Sequence, residues 1–126
     1  MNSLYADVGG DGFFVELVDR FYSGVATDPE LLALYPHPDD LSAARHRLTL
    51  FLVQYWGGPT TYSDERGHPR LRLRHAPFPI DLAARDRWLG HMRDAIAAML
   101  DRGLAPDTAE TLWAYFAPTA DAMRNV

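Results

Sequence analysis

Neither cysteine nor lysine occurs in this chain of 126 residues. Without cysteine there can be no disulfides, thiolate zinc sites, iron–sulfur clusters or cysteine nucleophiles, so any metal must be held by His, Asp, Glu or Tyr. All twelve basic residues are arginine, and seventeen acids leave a formal charge of −5. A mildly acidic chain argues against general nucleic-acid binding, which relies on broad positive surface. No apolar run approaches the length needed to cross a bilayer. The opening MNSLYADVGGDGFF has no basic region followed by an apolar stretch. Neither nucleic acid nor membrane is therefore an expected partner, and a cytoplasmic location is the default expectation. HExxH, a phosphate-binding glycine loop, an EF-hand loop and a nucleophile elbow are all missing as well.

What remains is a chain that is 48% hydrophobic, long enough for one continuous core and too short for two ordinary ones. A single domain over residues 1–126 is expected. Glycine and proline divide it into helical pieces with no room for a supported sheet, so the expected class is all-α. Ser3 can cap a short turn ending at Gly9-Gly10. From about Gly12 to Ala26, the residues Phe14, Leu17, Val18, Phe21, Tyr22 and Val25 fall on one helical face. Asp28-Pro29 is a cap followed by proline at the first helical position, opening a short piece from Glu30 to Tyr35. Leu41, Ala44, Leu48, Phe51, Leu52 and Tyr55 mark a helix from about Leu41 to Trp56. Thr60 to Pro69 reads as a loop. Asp81 can cap a helix to about Leu100, roughly 30 Å long, with Trp88, Met92, Ala95, Ile96 and Met99 as its stripe. A last helix runs from about Asp107 towards Arg124, with Leu112, Tyr115, Phe116 and Met123 as core candidates. Pro118 is expected to bend or break it, since proline removes a backbone hydrogen bond.

The stretch Leu71-Arg72-Leu73-Arg74-His75-Ala76-Pro77-Phe78 combines a histidine, an arginine-rich approach and an apolar exit. A neutral imidazole can ligate haem iron, guanidinium groups can pair with propionates, and the flanking leucines and Phe78 can cover the porphyrin edge. A solvated basic turn with an incidental histidine is the competing reading. As a short helix, the stretch would put Leu71, His75 and Phe78 on one face. The other histidines fit less well. His37 and His68 stand beside prolines in turns, His46 falls opposite the apolar stripe of its helix, and His91 reads as a packed, hydrogen-bonded core histidine.

Longer strings carry a resemblance. VGG at Val8 to Gly10, RFY at Arg20 to Tyr22, LYP at Leu34 to Pro36, FLVQYWGGP from Phe51 to Pro59 and TYSDERGHPRLRLRHAPF from Thr61 to Phe78 resemble the bacterial group II truncated haemoglobins over essentially the whole chain. The resemblance implies a shortened globin, a two-over-two helical sandwich around haem b (iron protoporphyrin IX), with the LRLRH run as the proximal helix. It implies His75 as the proximal iron ligand and Arg47, Arg74 and Tyr62 as propionate partners. Leu48, Phe51, Leu52 and Phe78 become the apolar haem contacts. Around the bound gas it places Tyr22, Tyr35, Ala44, Leu48 and Trp88. Ala44 stands where many globins carry a distal histidine or glutamine, so polar stabilisation of the ligand falls to the tyrosines and Trp88. The Pro36-His37-Pro38-Asp39 stretch and the internal Pro118 depart from the family pattern.

The implied activity is binding of dioxygen and other diatomic ligands. Haem-dependent redox chemistry at the same iron, as a peroxidase or nitric oxide dioxygenase, is the alternative and would need an electron-donating reductase not identifiable from the sequence. A homodimer is the remaining partner class. A cofactor-free helical interaction module is the third reading, and an absorption spectrum separates it from the others.

Overall fold

Three helices of this protein, α1, α3 and α7, begin where a short polar side chain takes up a free N–H group of the first turn. The computed structural model describes residues 3–126. Ser3 Oγ accepts from Ala6 N–H at 3.1 Å and opens α1 (Leu4–Asp7). Gly9 and Gly10, at φ of 92° and 91°, turn the chain into α2 (Asp11–Val25), using a backbone region that side chains with a Cβ avoid. Asp28 caps α3 (Pro29–Leu32) through Leu31 N–H, with Pro29 in the first turn. After α4 (Ser42–Tyr55) come two short helices, α5 (Thr61–Arg66) and α6 (Leu71–His75). Asp81 caps α7 (Leu82–Asp101) by accepting from Ala84 N–H at 2.8 Å. The last element is α8 (Pro106–Ala122).

Helix α2 packs against both α4 and α7, and α7 packs against α8. The result is two helix pairs laid one over the other, the two-over-two arrangement. All six apolar residues predicted on the α2 stripe are buried, meeting Met92, Ile96 and Met99 of α7 and Leu112 and Phe116 of α8 in one core. Each fully buried side chain of this size contributes roughly 1.5–3 kcal/mol from burial. Gly24 allows the close approach of α2 to α7. A Cβ added there would lie 2.5 Å from His91 Nδ1.

Four expectations need correction. Thr60 to Pro69 is not wholly a loop, because α5 occupies Thr61–Arg66. Its first turn is completed from another element: Gln54 of α4 accepts from Ser63 N–H at 2.9 Å and donates to Ser63 Oγ at 2.8 Å. Of the bend or break expected at Pro118, the break is absent, since α8 runs on through it. Pro118 and Ala114 are both exposed, so the carbonyl that loses its intrahelical donor can bond to water. The short piece expected at Glu30 to Tyr35 ends earlier, at Leu32. Tyr55, read as part of the α4 stripe, is half exposed.

Candidate functional site

Leu48, Phe51 and Trp88 fall on the apolar stripes of their helices but are only partly buried, because they face a cavity instead of the packed core. That cavity measures about 500 Å³, within the usual size of a small-molecule or cofactor site. Ala44, Arg47, Leu48, Phe51 and Leu52 of α4 form one wall, and Leu71, Arg74 and His75 of α6 with Phe78 form another. Tyr22, Tyr35 and Trp88 close it on the side of α2 and α7, and Tyr62 of α5 also lines it. Every residue that the resemblance named for cofactor or gas thus borders one cleft.

His75 is oriented from within its own helix. Its Nδ1 lies 2.6 Å from the carbonyl oxygen of Leu71, which can only accept, so Nδ1 carries the proton. In the neutral ring Nε2 is then a lone-pair donor. The carbonyls around it are held in turn by Asn125, whose Nδ2 donates to His75 O at 3.3 Å and Phe78 O at 2.7 Å. The same side chain accepts from Ile80 N–H at 2.9 Å. No sequence pattern pointed to Asn125, since its partners lie 45 to 50 residues earlier.

The other histidines stand apart. His37 and His68 are exposed, and His68 Nδ1 accepts from Arg70 N–H at 3.1 Å. His46 is exposed and lies 3.2 Å from Glu65. His91 is part-buried and bonded to Asp28 at 2.8 Å, with Arg87 on the other carboxylate oxygen at 3.2 Å. Among the described residues no three His, Asp or Glu side chains gather as a metal cage.

Tyr22, Tyr35 and Trp88 form an aromatic cluster over Ala44 and Leu48. The rings of Tyr22 and Tyr35 meet edge to face at 5.8 Å, and Phe21 lies 4.8 Å from Trp88. Burial pushes the Tyr22 hydroxyl up to about 12, with hydrogen bonding from Tyr35 and the positive field of Arg47 and Arg45 acting against the rise. Burial also raises Tyr35 well above the usual tyrosine range, reinforced by Tyr22 and opposed by hydrogen bonding with Trp88. Both hydroxyls therefore keep their protons across the physiological range and can act as donors. Buried hydroxyl and indole N–H groups need partners; here Tyr35 bonds with Tyr22 and Trp88, and the cluster sets three such donor groups beside open space.

The cations at the cavity differ in availability. Arg74 Nε donates to Pro69 O at 2.6 Å, and its Nη2 donates to Arg66 O at 2.8 Å and His68 O at 3.3 Å. Two of its three nitrogens thus tie down the α5–α6 turn, leaving Nη1. Arg47 lines the cavity without an ion-pair partner among the described residues, as does Arg66, which sequence reasoning did not single out. Arg66 lies in the arginine-rich run, and that run was the available signal. Thr119, Ala120 and Met123 also line the cavity, so the last helix and its exit shape the site on both sides of Pro118.

The family model for bacterial-like globins matches residues 3–125. The group 2 truncated hemoglobin YjbI of Bacillus subtilis is 40% identical over 98% of this chain and 89% of its own length. A thermostable hemoglobin from Thermobifida fusca superposes with a TM-score of 0.92 at 51% identity, covering 99% of this chain and 98% of the other. The hemoglobin of Chloroflexus aurantiacus superposes with the same TM-score of 0.92 at 44% identity over the whole of both chains. With a two-over-two helical frame, a largely apolar cavity between α4 and α6 and these likenesses over the whole length, the chain belongs to the bacterial-like globin family and, within it, to the group II truncated haemoglobins.

Proposed function

We propose that this chain, acting as one globin domain, binds haem b, with His75 Nε2 as the atom that would hold its iron and Tyr22, Tyr35 and Trp88 as the groups that would meet dioxygen or another diatomic gas. The cavity fits that cofactor in shape and chemistry: apolar walls on α4 and α6, one imidazole with a free lone pair, and arginines at its border. Haem b supplies an iron that binds diatomic gases reversibly.

The observation that carries the reading is the fixed tautomer of His75, because a metal-binding histidine needs its other nitrogen hydrogen-bonded and Leu71 O provides that partner. Arg47, with Arg74 Nη1 and the Tyr62 hydroxyl, balances the cofactor's carboxylates. Leu48, Phe51, Leu52 and Phe78 exclude water from its faces. Tyr22 and Trp88 donate hydrogen bonds to the gas, and Tyr35 orients Tyr22. Ala44 has no polar group and leaves space through which a ligand can arrive. Gas binding is favoured over peroxide turnover by one further observation. Among the described residues no Asp or Glu and no second histidine lines the cavity, so no acid–base group stands ready to cleave a peroxide bond.

Replacing His75 with glycine tests the assignment. The variant should lose the five-coordinate, histidine-ligated ferrous spectrum and regain it with added imidazole, while alanine at His37, His46 or His68 should leave the spectrum unchanged. A His75→Gly protein that keeps the native ferrous spectrum without imidazole rules out this ligand.

A further inference from the structure

Beside the cavity, where the chain enters α6, lies a second, shallow depression open to solvent. Phe51, Leu71 and Tyr115 line both spaces, so its floor is the outer side of the cavity wall. Over that floor stand Tyr55, half exposed, and Leu73, 64% exposed, with the rings of Tyr55 and Tyr115 only 4.1 Å apart. Exposed large apolar side chains gathered at one place mark interaction sites more often than scattered ones do. The rim is positive through Arg70 and Arg72, with the His68 ring beside them.

Charge is distributed unevenly around this point. Residues 66–80 hold four arginines, two histidines and no acid, whereas the rest of the chain holds eight arginines and all seventeen acids. Arg70 and Arg72 on the rim, and Arg66 at the border of the cofactor cavity, are exposed and have no ion-pair partner among the described residues. The hydrogen bonds of Arg74 to three carbonyls of the turn hold this positive rim in place.

We propose that this groove is the docking face for an acidic one-electron donor protein that returns the ferric haem to the ferrous state; this rests on the haem reading above. Outside residues 66–80 the chain carries nine more acids than arginines and repels an acidic partner, while this acid-free stretch attracts it, which orients it over the wall shared with the cofactor cavity. A second copy of this chain fits less well, because a symmetric contact would set one arginine rim against the other. A nucleic acid would meet two rim arginines on a chain of net negative charge. The apolar centre with its charged rim suits the small, transient contacts of electron-transfer pairs. The step balances as one electron leaving the reduced donor and one arriving at ferric iron, with no bond made or broken in the protein.

The test is anaerobic reduction of the ferric holoprotein by a reduced acidic plant-type ferredoxin, followed by stopped flow at increasing salt. The second-order rate should fall about tenfold as salt screens the contact. Arg72→Glu with Leu73→Ser should lower the low-salt rate about tenfold and flatten its salt dependence. Arg93→Glu, an equal charge change on α7, should leave the rate within about twofold, since a charge outside the contact steers weakly. Reduction by the small cation methyl viologen radical should not be slowed in either variant. A salt-independent rate, or equal losses in the two charge variants, overturns the docking face while the haem spectrum still stands. A preparation with no haem absorption overturns both readings together. Concentration-dependent dimerisation relieved by Leu73→Ser would assign the groove to self-association and overturn the proposal as well.

Discussion

At the scale of single residues, protonation decides what the distal cluster can do. A tyrosine hydroxyl can donate to a bound gas only while it keeps its proton, and burial holds Tyr22 neutral up to about 12. A hydrogen bond to a charged or strongly polarised acceptor contributes roughly 1.5–3 kcal/mol, so losing one donor should speed gas release by about one to two orders of magnitude. Oxygen dissociation should therefore accelerate by that amount in Tyr22→Phe and in Trp88→Phe, and stay flat in the wild type from neutral pH to the ordinary tyrosine value of 10.0. Stopped-flow rates close to wild type in both variants and in the double variant would remove these side chains from the role. Asp28 makes a different kind of prediction. Its hydrogen bond with His91 holds the carboxyl below its usual 3.8, against the opposing effect of burial. A folded-state value below the unfolded one stabilises the fold above the unfolded value and loses that contribution as the group is protonated. Urea midpoints of wild type and Asp28→Asn should therefore differ at neutral pH and converge as pH falls below 3.8; a constant gap would show that the carboxylate charge is not the source.

Among the elements, α6 has the weakest local support. It has five residues, buries none of them and begins from Arg70 in the left-handed region at φ 43°. Helices this short do not persist by propensity. Its position depends on Arg74 at one end and Asn125 at the other, where one side chain bonds to His75 O, Phe78 O and Ile80 N–H. Asn125→Ala should thus loosen the proximal segment: haem transfer to an excess of acceptor apoprotein should quicken about tenfold, the effect of losing about 1.4 kcal/mol, and the iron–histidine vibration should shift. An unchanged transfer rate and vibration would show that the segment holds itself. Elements closed by their own sequence were legible in advance. The α2 stripe, the Asp28-Pro29 start and the Asp81 cap each depend on residues a few positions apart. Helix α5 was not legible, since the side chain completing its first turn belongs to Gln54 of α4. Asn125 was hidden for the same reason. Tyr22 and Trp88 sat on the stripes as predicted, but periodicity alone cannot separate a residue facing a cavity from one facing the core; the family strings supplied that distinction.

For the whole molecule, burial divides the fold into two parts with different dependence on the cofactor. The interface of α2, α7 and α8 is closed by side chains that are already fully packed, among them Phe14, Phe21, Met92 and Leu112. The sector from α4 to α6 instead closes around about 500 Å³ of cavity, and α6 contributes no buried residue of its own. A ligand bound only by the folded state stabilises it in proportion to the logarithm of its concentration over its dissociation constant, and a cofactor in this cavity would lean mostly on that one sector. Haem removal should therefore lower thermal stability unevenly. Amide exchange in the haem-free protein should quicken most across α5, α6 and the part of α4 from Ala44 to Leu52, while α2 and the middle of α7 keep their protection. Uniform loss of protection along the chain would mean that the core and the cofactor sector unfold as one unit. Unchanged protection in α6 would mean that Arg74 and Asn125 hold the proximal helix in place without the cofactor.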